Sequence, residues 1–318
     1  MKFTPIDASK IKTYSLKDRL SKVDVSSAAK PYKAGTSFAG FLQSLPRILA
    51  ADSFMQVAGA VAAAKRAGAT VALGMGAHVI KVGLSPVVID LMERGIISAV
   101  AMNGAGIVHD FEMAYQGRTS EDVDAEIGAG TFGMADETGR IINGMVASGV
   151  SGGLGIGGSV GRGIAQGGFP HTGKSILAAA YRLGVPATVH VALGADIIHM
   201  HPSADGAAIG EGSLRDFRLF TSVVASLEGG VYINLGSAVL LPEVFLKAVT
   251  LARNLGSSLS AITTVNMDFI QGYRSNTNVV RRPTMKGGRG YSLTGHHEIM
   301  FPLLAAAVIE ALEAGQGA

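Results

Sequence analysis

"LSPVVIDLMERGIISAVAMNGAG", residues 84–106, places a helix and a strand in direct succession. Ser85 is predicted as the N-cap of the helix, Pro86 as its first position and Gly95 as its end. The apolar run over residues 96–106 predicts a buried strand that ends in a loop of small residues. A helix that leads into such a strand is typical of an α/β fold.

The same alternation continues along the chain. Apolar runs that follow or precede helical stretches predict strands within residues 70–77, 96–106, 186–196, 230–240 and 260–269. The chain is 48% hydrophobic and only 16% charged, which suits a sheet that is buried on both sides. The sequence therefore predicts a Rossmann-like, mainly parallel sheet with helices on both faces.

Two regions follow from this pattern. Residues 51–318 are predicted as a single Rossmann-like α/β domain, because helices and strands alternate throughout them. Residues 1–50 have a mixed composition with several Ser, Lys and Pro. We expect them to form an N-terminal extension that packs on the core or on a neighbouring subunit.

Composition excludes several classes of function. The absence of cysteine rules out disulfides, thiolate metal sites and thiol catalysis. The net charge is +3 without a basic run, so no nucleic-acid partner is expected. The apolar stretches are too short or carry charge, so no membrane span is expected. The first residues lack the apolar run of a signal peptide, and a cytoplasmic location is the expectation.

A glycine-rich tract, "GGLGIGGSVGRG", covers residues 152–163 and contains a G-x-G-x-x-G match. Seven glycines in twelve residues make such a match nearly inevitable, and a helical stretch precedes it where a dinucleotide fingerprint needs a strand. We therefore predict a mobile loop here, with an active-site lid as one role.

A second match, "GFPHTGKS" at Gly168–Ser175, has the letters of a P-loop. A P-loop follows a buried strand, and the preceding residues do not predict one. The simpler interpretation is that Gly173–Ser175 begin a helix, while an ATP-binding enzyme that uses this loop remains an alternative.

Histidines cluster where the predicted strands end. They are His78, His109, His199 and His201, with a further pair at His296 and His297. Ligands of parallel sheets bind beyond the carboxyl ends of the strands. These histidines, with Asp196, are therefore candidates for a general base or for ligand binding. A metal site is a weaker alternative and is not predicted.

A Gly- and Arg-rich stretch, "VVRRPTMKGGRGY" at residues 279–291, is predicted as a loop between the last strand and the last helix. Lys286 lies in it among arginines. Such a loop could clamp an anion, supply a reactive amine, or be a solvated connector or oligomer contact.

The order of segments resembles deoxyhypusine synthase. "GLSPVVIDLMERGIISAVAMNGAGIVHDF" (83–111) is similar to that family's NAD-binding core, and residues 175–196, 213–238 and 300–310 are similar to three further segments. The resemblance implies NAD as cofactor and a homotetramer, a dimer of dimers with active sites at a dimer interface. It also implies transfer of an aminobutyl group through a lysine imine.

The resemblance also implies roles for particular residues. Lys286 would be the catalytic lysine, while Asp196 and His109 would orient the substrate amine and move its proton. The cofactor-binding positions implied are His78, Gly83, Asn103, Gly104, Ala105, Gly106, Gly236, Ser237 and Asn266.

Departures from the family argue against deoxyhypusine synthesis itself. The positions that match the family's amine-binding His and Asn are near Leu241 and Phe245 in this sequence. The family's active-site tryptophan has no counterpart, because the chain contains no tryptophan. The matched loops carry histidines and arginines where a dication would need carboxylates. Taken with these departures, the resemblance implies an NAD-dependent, transferase- or oxidoreductase-like enzyme acting on a small amine or amino-acid-like substrate. A non-catalytic ligand-binding homo-oligomer is the other alternative.

Overall fold

The computed structural model describes residues 2–315, which divide into two compact units, one ending at Asp52 and one beginning at Ser53. The first unit contains three short 3-10 turns and helix α1; these are Ala8–Lys10, Leu16–Asp18, Val25–Ser27 and, for α1, Phe38–Ser44. Each turn begins where a side-chain oxygen of Asp7, Ser15 or Asp24 accepts the N–H of the residue two positions later.

Within residues 2–315, the second unit is built on a six-stranded parallel sheet. The strands are β1 Val71–Met75, β2 Ala99–Asn103, β3 Ala187–His190, β4 Val231–Leu235, β5 Thr263–Asp268 and β6 Arg289–Thr294. They lie in the order β3-β2-β1-β4-β5-β6, and every neighbouring pair is parallel. β1 and β4 are buried along their whole length, as expected for a sheet covered on both faces.

Helices alternate with these strands. They are α2 Leu49–Arg66, α3 His78–Lys81, α4 Ser85–Glu93, α5 Gly104–Gln116, α6 Val123–Glu126, α7 Asp136–Ser151, α8 Ile156–Gln166, α9 Ile176–Leu183, α10 Gly206–Ala225, α11 Leu240–Asn254, α12 Tyr273–Ser275 and α13 His297–Ala314. A π-helical turn, Asn276–Arg281, follows α12. The predicted Rossmann-like α/β fold is confirmed. In the part of the chain that is described, no helix combines the length and hydrophobicity that a membrane crossing requires.

Aromatic side chains fill one face of the sheet. Tyr232 of β4 stacks on Phe245 of α11 with ring centroids 3.8 Å apart, and Phe220 of α10 meets its edge. Gly74 on the adjacent β1 makes room for the tyrosine ring, because a β-carbon there would overlap it. All three rings are almost completely buried, so this cluster is a large part of the core.

The glycine-rich tract is not a mobile loop. Residues 156–163 of the tract belong to α8, in which Gly157 and Gly161 lie against the backbone carbonyls of Ala187 and Leu177. A β-carbon at either glycine would overlap these carbonyls. The prediction of a mobile loop was wrong, because these glycines permit close packing of α8 on β3 and α9 rather than flexibility.

The stretch 279–291 is likewise not a simple loop. It contains the end of the π-helical turn and the start of β6, the edge strand. Five strands were predicted and are present. β6 was missed because only Leu293 among its residues is buried, so an apolar run is absent. At α4 the predicted cap is displaced by one residue: Leu84 is the N-cap and Ser85 is the first helical residue.

The strand order reverses between β1 and β4. From β1 the chain adds β2 and β3 on one side, and β4 then returns to the other side of β1. Such a switch point creates a crevice beyond the carboxyl ends of the two strands. Gly76 after β1 and Gly236 after β4 are in contact there, and a β-carbon on Gly76 would overlap the carbonyl of Gly236. We call this place the β1–β4 crevice.

Candidate functional site

A cavity of about 210 Å³ lies beyond the carboxyl ends of β2 and β3. The start of α5 contributes Ala105 and His109, and the loop after β3 contributes Asp196. The acidic segment, residues 119–139, forms another wall through Glu121 and Phe132. We call this site the β2–β3 cavity. It brings together two of the predicted catalytic residues, His109 and Asp196, with one predicted cofactor residue, Ala105.

His109 is held by a chain of hydrogen bonds. Its Nδ1 lies 2.6 Å from the hydroxyl oxygen of Thr119, and that hydroxyl donates a 2.6 Å hydrogen bond to Glu112. The other carboxylate oxygen of Glu112 accepts from Thr138 at 2.9 Å. His109 and Glu112 are three residues apart on α5 and so share a helix face. The acidic segment, which carries both threonines, thereby fixes the imidazole.

The β2–β3 cavity contains groups of both charges. Lys81 at the end of α3 lines it, as do the carboxylates of Glu112, Glu121 and Asp196. Burial, with Lys81 adding to it, lowers the pKa of His109 to about 4, so the imidazole is neutral at neutral pH. Burial also raises the pKa of Asp196, against the effects of His199 and of a backbone hydrogen bond from Ala105.

The N-terminus of α5 is already capped. The side chain of Asn103 accepts the N–H of Gly106, and the carboxylate of Asp196 accepts the N–H of Ala105. Gly104 lies directly against that carboxylate. The small residues that were expected to form a loop are thus the first turn of α5, which positions Asp196, and two of the amides that could bind a phosphate are occupied.

A second cluster of polar side chains lies at the β1–β4 crevice. His297, the first residue of α13, is 1% exposed, and neither of its ring nitrogens has a hydrogen-bond partner. Its Nε2 is 3.4 Å from Oδ1 of Asp268, and its ring is 5.4 Å from that of His78. Gly236, with φ of +65°, lies against the same imidazole. Buried donors and acceptors without partners are rare and indicate a ligand or water site.

Three predicted cofactor residues belong to this crevice or its structural frame. His78 and Gly236 contact the cluster, and Ser237 follows directly. The hydroxyl of Ser237 accepts the N–H of Leu241 and so caps α11. His78 has a lowered pKa because of burial and the neighbouring His297.

Two further predicted cofactor residues have structural surroundings. Asn266 is fully buried, and its amide accepts from Asn234 and donates to Gln271. Gly83, between α3 and α4, has φ of +80°, a conformation that favours glycine in the turn.

Lys286 lies at the amino-terminal ends of the strands, on the opposite side of the sheet from the two sites described above. It is an exposed residue of the turn that precedes β6, next to the beginning of β5. Because all strands are parallel, this is the amino-terminal edge, whereas the β2–β3 cavity and the β1–β4 crevice are at the carboxyl-terminal edge. Within one chain, the structure does not bring Lys286 together with His109 and Asp196.

The P-loop match has a different role. Gly168–Ser175 follows α8, so the strand that a P-loop needs is missing. The buried carboxylate of Asp110 accepts the backbone N–H groups of Ile176 and Leu177 and the hydroxyl of Ser175. Asp110 therefore occupies the position that a phosphate would take at the start of α9.

The histidines after β3 are tied to their own loop. His199 accepts the N–H of Gly194, and His201 hydrogen-bonds to Ser203. Among residues 2–315, three or more His, Asp or Glu side chains do not converge into a group that could hold a metal ion.

Several site residues were not predicted from the sequence. Thr119 and Glu121 lie in a segment without an apolar pattern, and Glu112 lies on α5, a helix that the sequence pattern does not predict. The spacing of His109 and Glu112, three positions apart, would have been the available signal. His297 and Asp268 come together only through the packing of α13 on the sheet.

Comparison with solved structures identifies the architecture. A protein of Entamoeba histolytica assigned as a deoxyhypusine synthase superposes with a TM-score of 0.53 at 13% identity, and the match covers 88% of this chain and 96% of the other. The chain has the deoxyhypusine synthase-like fold. The resemblance seen in the sequence is thus confirmed at the level of the fold.

Other proteins match the same deoxyhypusine synthase-like fold. AgrE, in a ternary complex with ornithine and NAD+, gives a TM-score of 0.56 at 16% identity over 82% of this chain and 33% of AgrE. A Methanococcus maripaludis S2 protein assigned as LOR/SDH gives 0.52 at 16% identity over 85% of this chain and 71% of that protein. The chain spans about a third of the length of AgrE. No family model and no curated protein matches the sequence.

Proposed function

We propose that this chain is an NAD-dependent enzyme that acts on a small amine or amino-acid-like substrate. The observation that carries the proposal is the β2–β3 cavity, where Lys81 and three carboxylates surround a neutral histidine at the carboxyl-terminal edge of a Rossmann-like sheet. Perturbed titratable groups that converge in a cavity are typical of active sites.

The charges of the cavity suit a zwitterion. The ammonium of Lys81 is complementary to a substrate carboxylate, and Glu112, Glu121 and Asp196 are complementary to a substrate ammonium. A polyamine would meet the unfavourable charge of Lys81, so the arrangement supports an amino acid over spermidine. A volume of about 210 Å³ suits a small molecule and is too small for a dinucleotide.

The cofactor would then bind at the adjacent β1–β4 crevice. The residues that would hold it are His78, Gly236 and His297, because the buried imidazole lies against Gly236 and His78 and has unused hydrogen-bonding capacity. NAD would supply the hydride acceptor. The solved complex of AgrE with ornithine and NAD+ supports the same pairing of ligands on this fold.

The chain's own residues define what happens in the cavity. Lys81 would bind and orient the substrate carboxylate, and Asp196, held by the first turn of α5, would orient the ammonium. His109 would accept the proton that leaves the substrate. The acidic segment, through Val123 and Phe132, would exclude water from the bound substrate.

The test is a binding and turnover experiment on the full chain. Mass spectrometry of the denatured protein detects copurified NAD, and calorimetry measures its affinity. A panel of amino acids and polyamines with NAD+ is then followed by NADH absorbance. NADH formation with an amino acid supports the proposal, and absence of NAD binding overturns it. NAD binding without turnover of any amine supports the non-catalytic ligand-binding alternative.

We also propose that the chain assembles as a dimer of dimers. Large apolar side chains of the first unit are exposed in the single chain, among them Phe3, Ile6 and Leu20 at 91, 94 and 99%. Burial of such side chains against another subunit would be favourable. Light scattering of the full chain at micromolar concentration tests this, and a monomer would contradict it.

A further inference from the structure

The geometry points to His109 as the general base of the β2–β3 cavity, with Thr119 and Glu112 as positioning residues that hold the imidazole proton on Nδ1. The inference rests on the proposed function for the nature of its substrate, a molecule with an ammonium group. It specifies which nitrogen of His109 accepts the proton and which residues determine the tautomer of the imidazole.

The hydrogen-bond chain fixes the tautomer. A threonine hydroxyl has one proton, and Thr119 donates it to Oε2 of Glu112. Its oxygen can therefore only accept from His109, so the proton between them, over 2.6 Å, belongs to Nδ1. Thr138 donates to Oε1 of Glu112, so both carboxylate oxygens are engaged as acceptors. The lone pair of His109 is left on Nε2.

The charges around His109 make it responsive to substrate. Lys81 from α3 disfavours the imidazolium form, while Glu112 on α5, Glu121 of the acidic segment and Asp196 after β3 are the acidic groups of the same cavity. A substrate carboxylate paired with Lys81 would offset the charge of that lysine. Of the two effects that lower the pKa of His109, burial first and Lys81 second, such a substrate would remove only the second.

The step itself is a proton transfer. An N–H bond of the substrate ammonium breaks, its electron pair stays on the substrate nitrogen, and the proton bonds to Nε2 of His109. The imidazolium so formed keeps its Nδ1–H on Thr119, and the nearby carboxylate of Glu112 stabilises the new charge. The substrate leaves this step as a neutral amine.

Nitrogen NMR of the full chain with isotope-labelled histidine tests the tautomer without any substrate. The wild-type protein is expected to show His109 with its proton on Nδ1. Thr119→Val removes the acceptor and should lose this preference, whereas Thr119→Ser should keep it. Thr131→Val is the matched control, because Thr131 lies in the same segment but donates to Glu126.

Glu112→Gln gives a sharper outcome. The amide oxygen would accept from Thr138, which leaves the amide NH₂ to donate to Thr119. Thr119 would then donate to Nδ1, and the proton of His109 would move to Nε2. The inference is overturned if wild-type His109 carries its proton on Nε2, or if Thr119→Val leaves the tautomer unchanged, even when NAD and an amino acid bind.

Activity completes the test once a substrate is found. His109→Gln should lower kcat by about 100-fold or more with little change in KM. Thr119→Val should lower kcat by roughly 10-fold and Thr119→Ser much less, as expected for a positioning residue. Unchanged kcat in His109→Gln would overturn the role of the base while leaving the proposed substrate class intact.

Discussion

Gly104 lies so close to Asp196 that a β-carbon at Gly104 would overlap the carboxylate oxygens. The contact brings that carboxylate to the first turn of α5, where it accepts the N–H of Ala105. The glycine is therefore required by the position of an acidic side chain of the cavity.

Gly104→Ala should destabilise the protein, because the added methyl must displace Asp196 or α5. We expect a loss of about 1–3 kcal/mol in the free energy of unfolding, measured by denaturant titration. Gly144→Ala is the matched control: Gly144 is an exposed glycine within α7 with open space around it, and alanine there should stabilise by roughly 0.5–1 kcal/mol. Equal stabilities of the two variants would contradict this account.

The glycines of α8 differ in what they contact, and this gives a second pair of variants. Gly157→Ala should cost about 1–3 kcal/mol, because the methyl would meet the carbonyl of Ala187. Gly158→Ala, one position along the same helix, has only ordinary contacts with Leu154 and should be neutral or stabilising. Thermal unfolding of both variants decides, and a stable Gly157→Ala would mean that α8 can move away from β3.

Asp216 gives a prediction about pH. Its buried carboxylate accepts the N–H groups of Gly157 and Val189, and burial raises its pKa to about 7 against 3.8 in the unfolded chain. Between these values the folded state binds the proton more tightly, so the contribution of Asp216 to stability is largest at low pH and falls as pH rises towards 7.

The destabilisation caused by Asp216→Asn should therefore be larger near pH 4 than near pH 7, by about 1.4 kcal/mol per unit of pKa difference. Burial lowers the pKa of His109 and His190 to about 4, which acts in the opposite direction, but both remain in the variant and cancel in the difference. Urea titrations of the two proteins across this range test it. A penalty that grows with pH would contradict the prediction.

Lys81 and Lys286 form a natural comparison. Lys81→Met should lower kcat/KM for an amino-acid substrate by about 10-fold or more, because it removes a charge-assisted contact to the carboxylate. Lys286→Met should leave it unchanged, since Lys286 is exposed at the opposite edge of the sheet. The reverse result would support the lysine mechanism implied by the family resemblance, with Lys286 supplied from a neighbouring subunit.

His297 is the test of the cofactor position. His297→Ala should weaken NAD binding by about 10-fold in calorimetry, because a buried imidazole whose Nδ1 has no hydrogen-bond partner is lost from the crevice. His171→Ala is the control, since His171 is exposed in the turn before α9. Unchanged NAD affinity in His297→Ala would place the cofactor elsewhere.

The fold was predictable because its signal is local. Of the six strands in the described residues, five are predicted by apolar runs between helices. The edge strand β6 has no such run, because its side chains are mostly exposed. The site was predictable only in part. His109 and Asp196 follow strand ends in the sequence, and parallel strands bring such ends together. Thr119 and His297 reach their partners through the path of the acidic segment and the docking of α13, which no local pattern records.

The structural role of glycine was the hardest feature to predict from the sequence. Gly157 and Gly161 were interpreted as flexibility, yet they are buried in a helix interface. A glycine that permits close approach and a glycine that permits motion look the same in one sequence. Only the neighbouring backbone, here the carbonyls of Ala187 and Leu177, distinguishes them.

One turn of helix joins the two sites. His78 and Lys81 are the first and last residues of α3. Burial is the main cause of the lowered pKa of His109, and the ammonium of Lys81 adds to it. For His78, burial and His297 are the larger causes, and Lys81 again lowers the pKa. An anion bound against Lys81 would be felt at both histidines at once. If the proposed substrate and cofactor bind at the cavity and the crevice, this shared lysine would couple their occupancy, and by reciprocity each ligand would change the affinity of the other by the same factor.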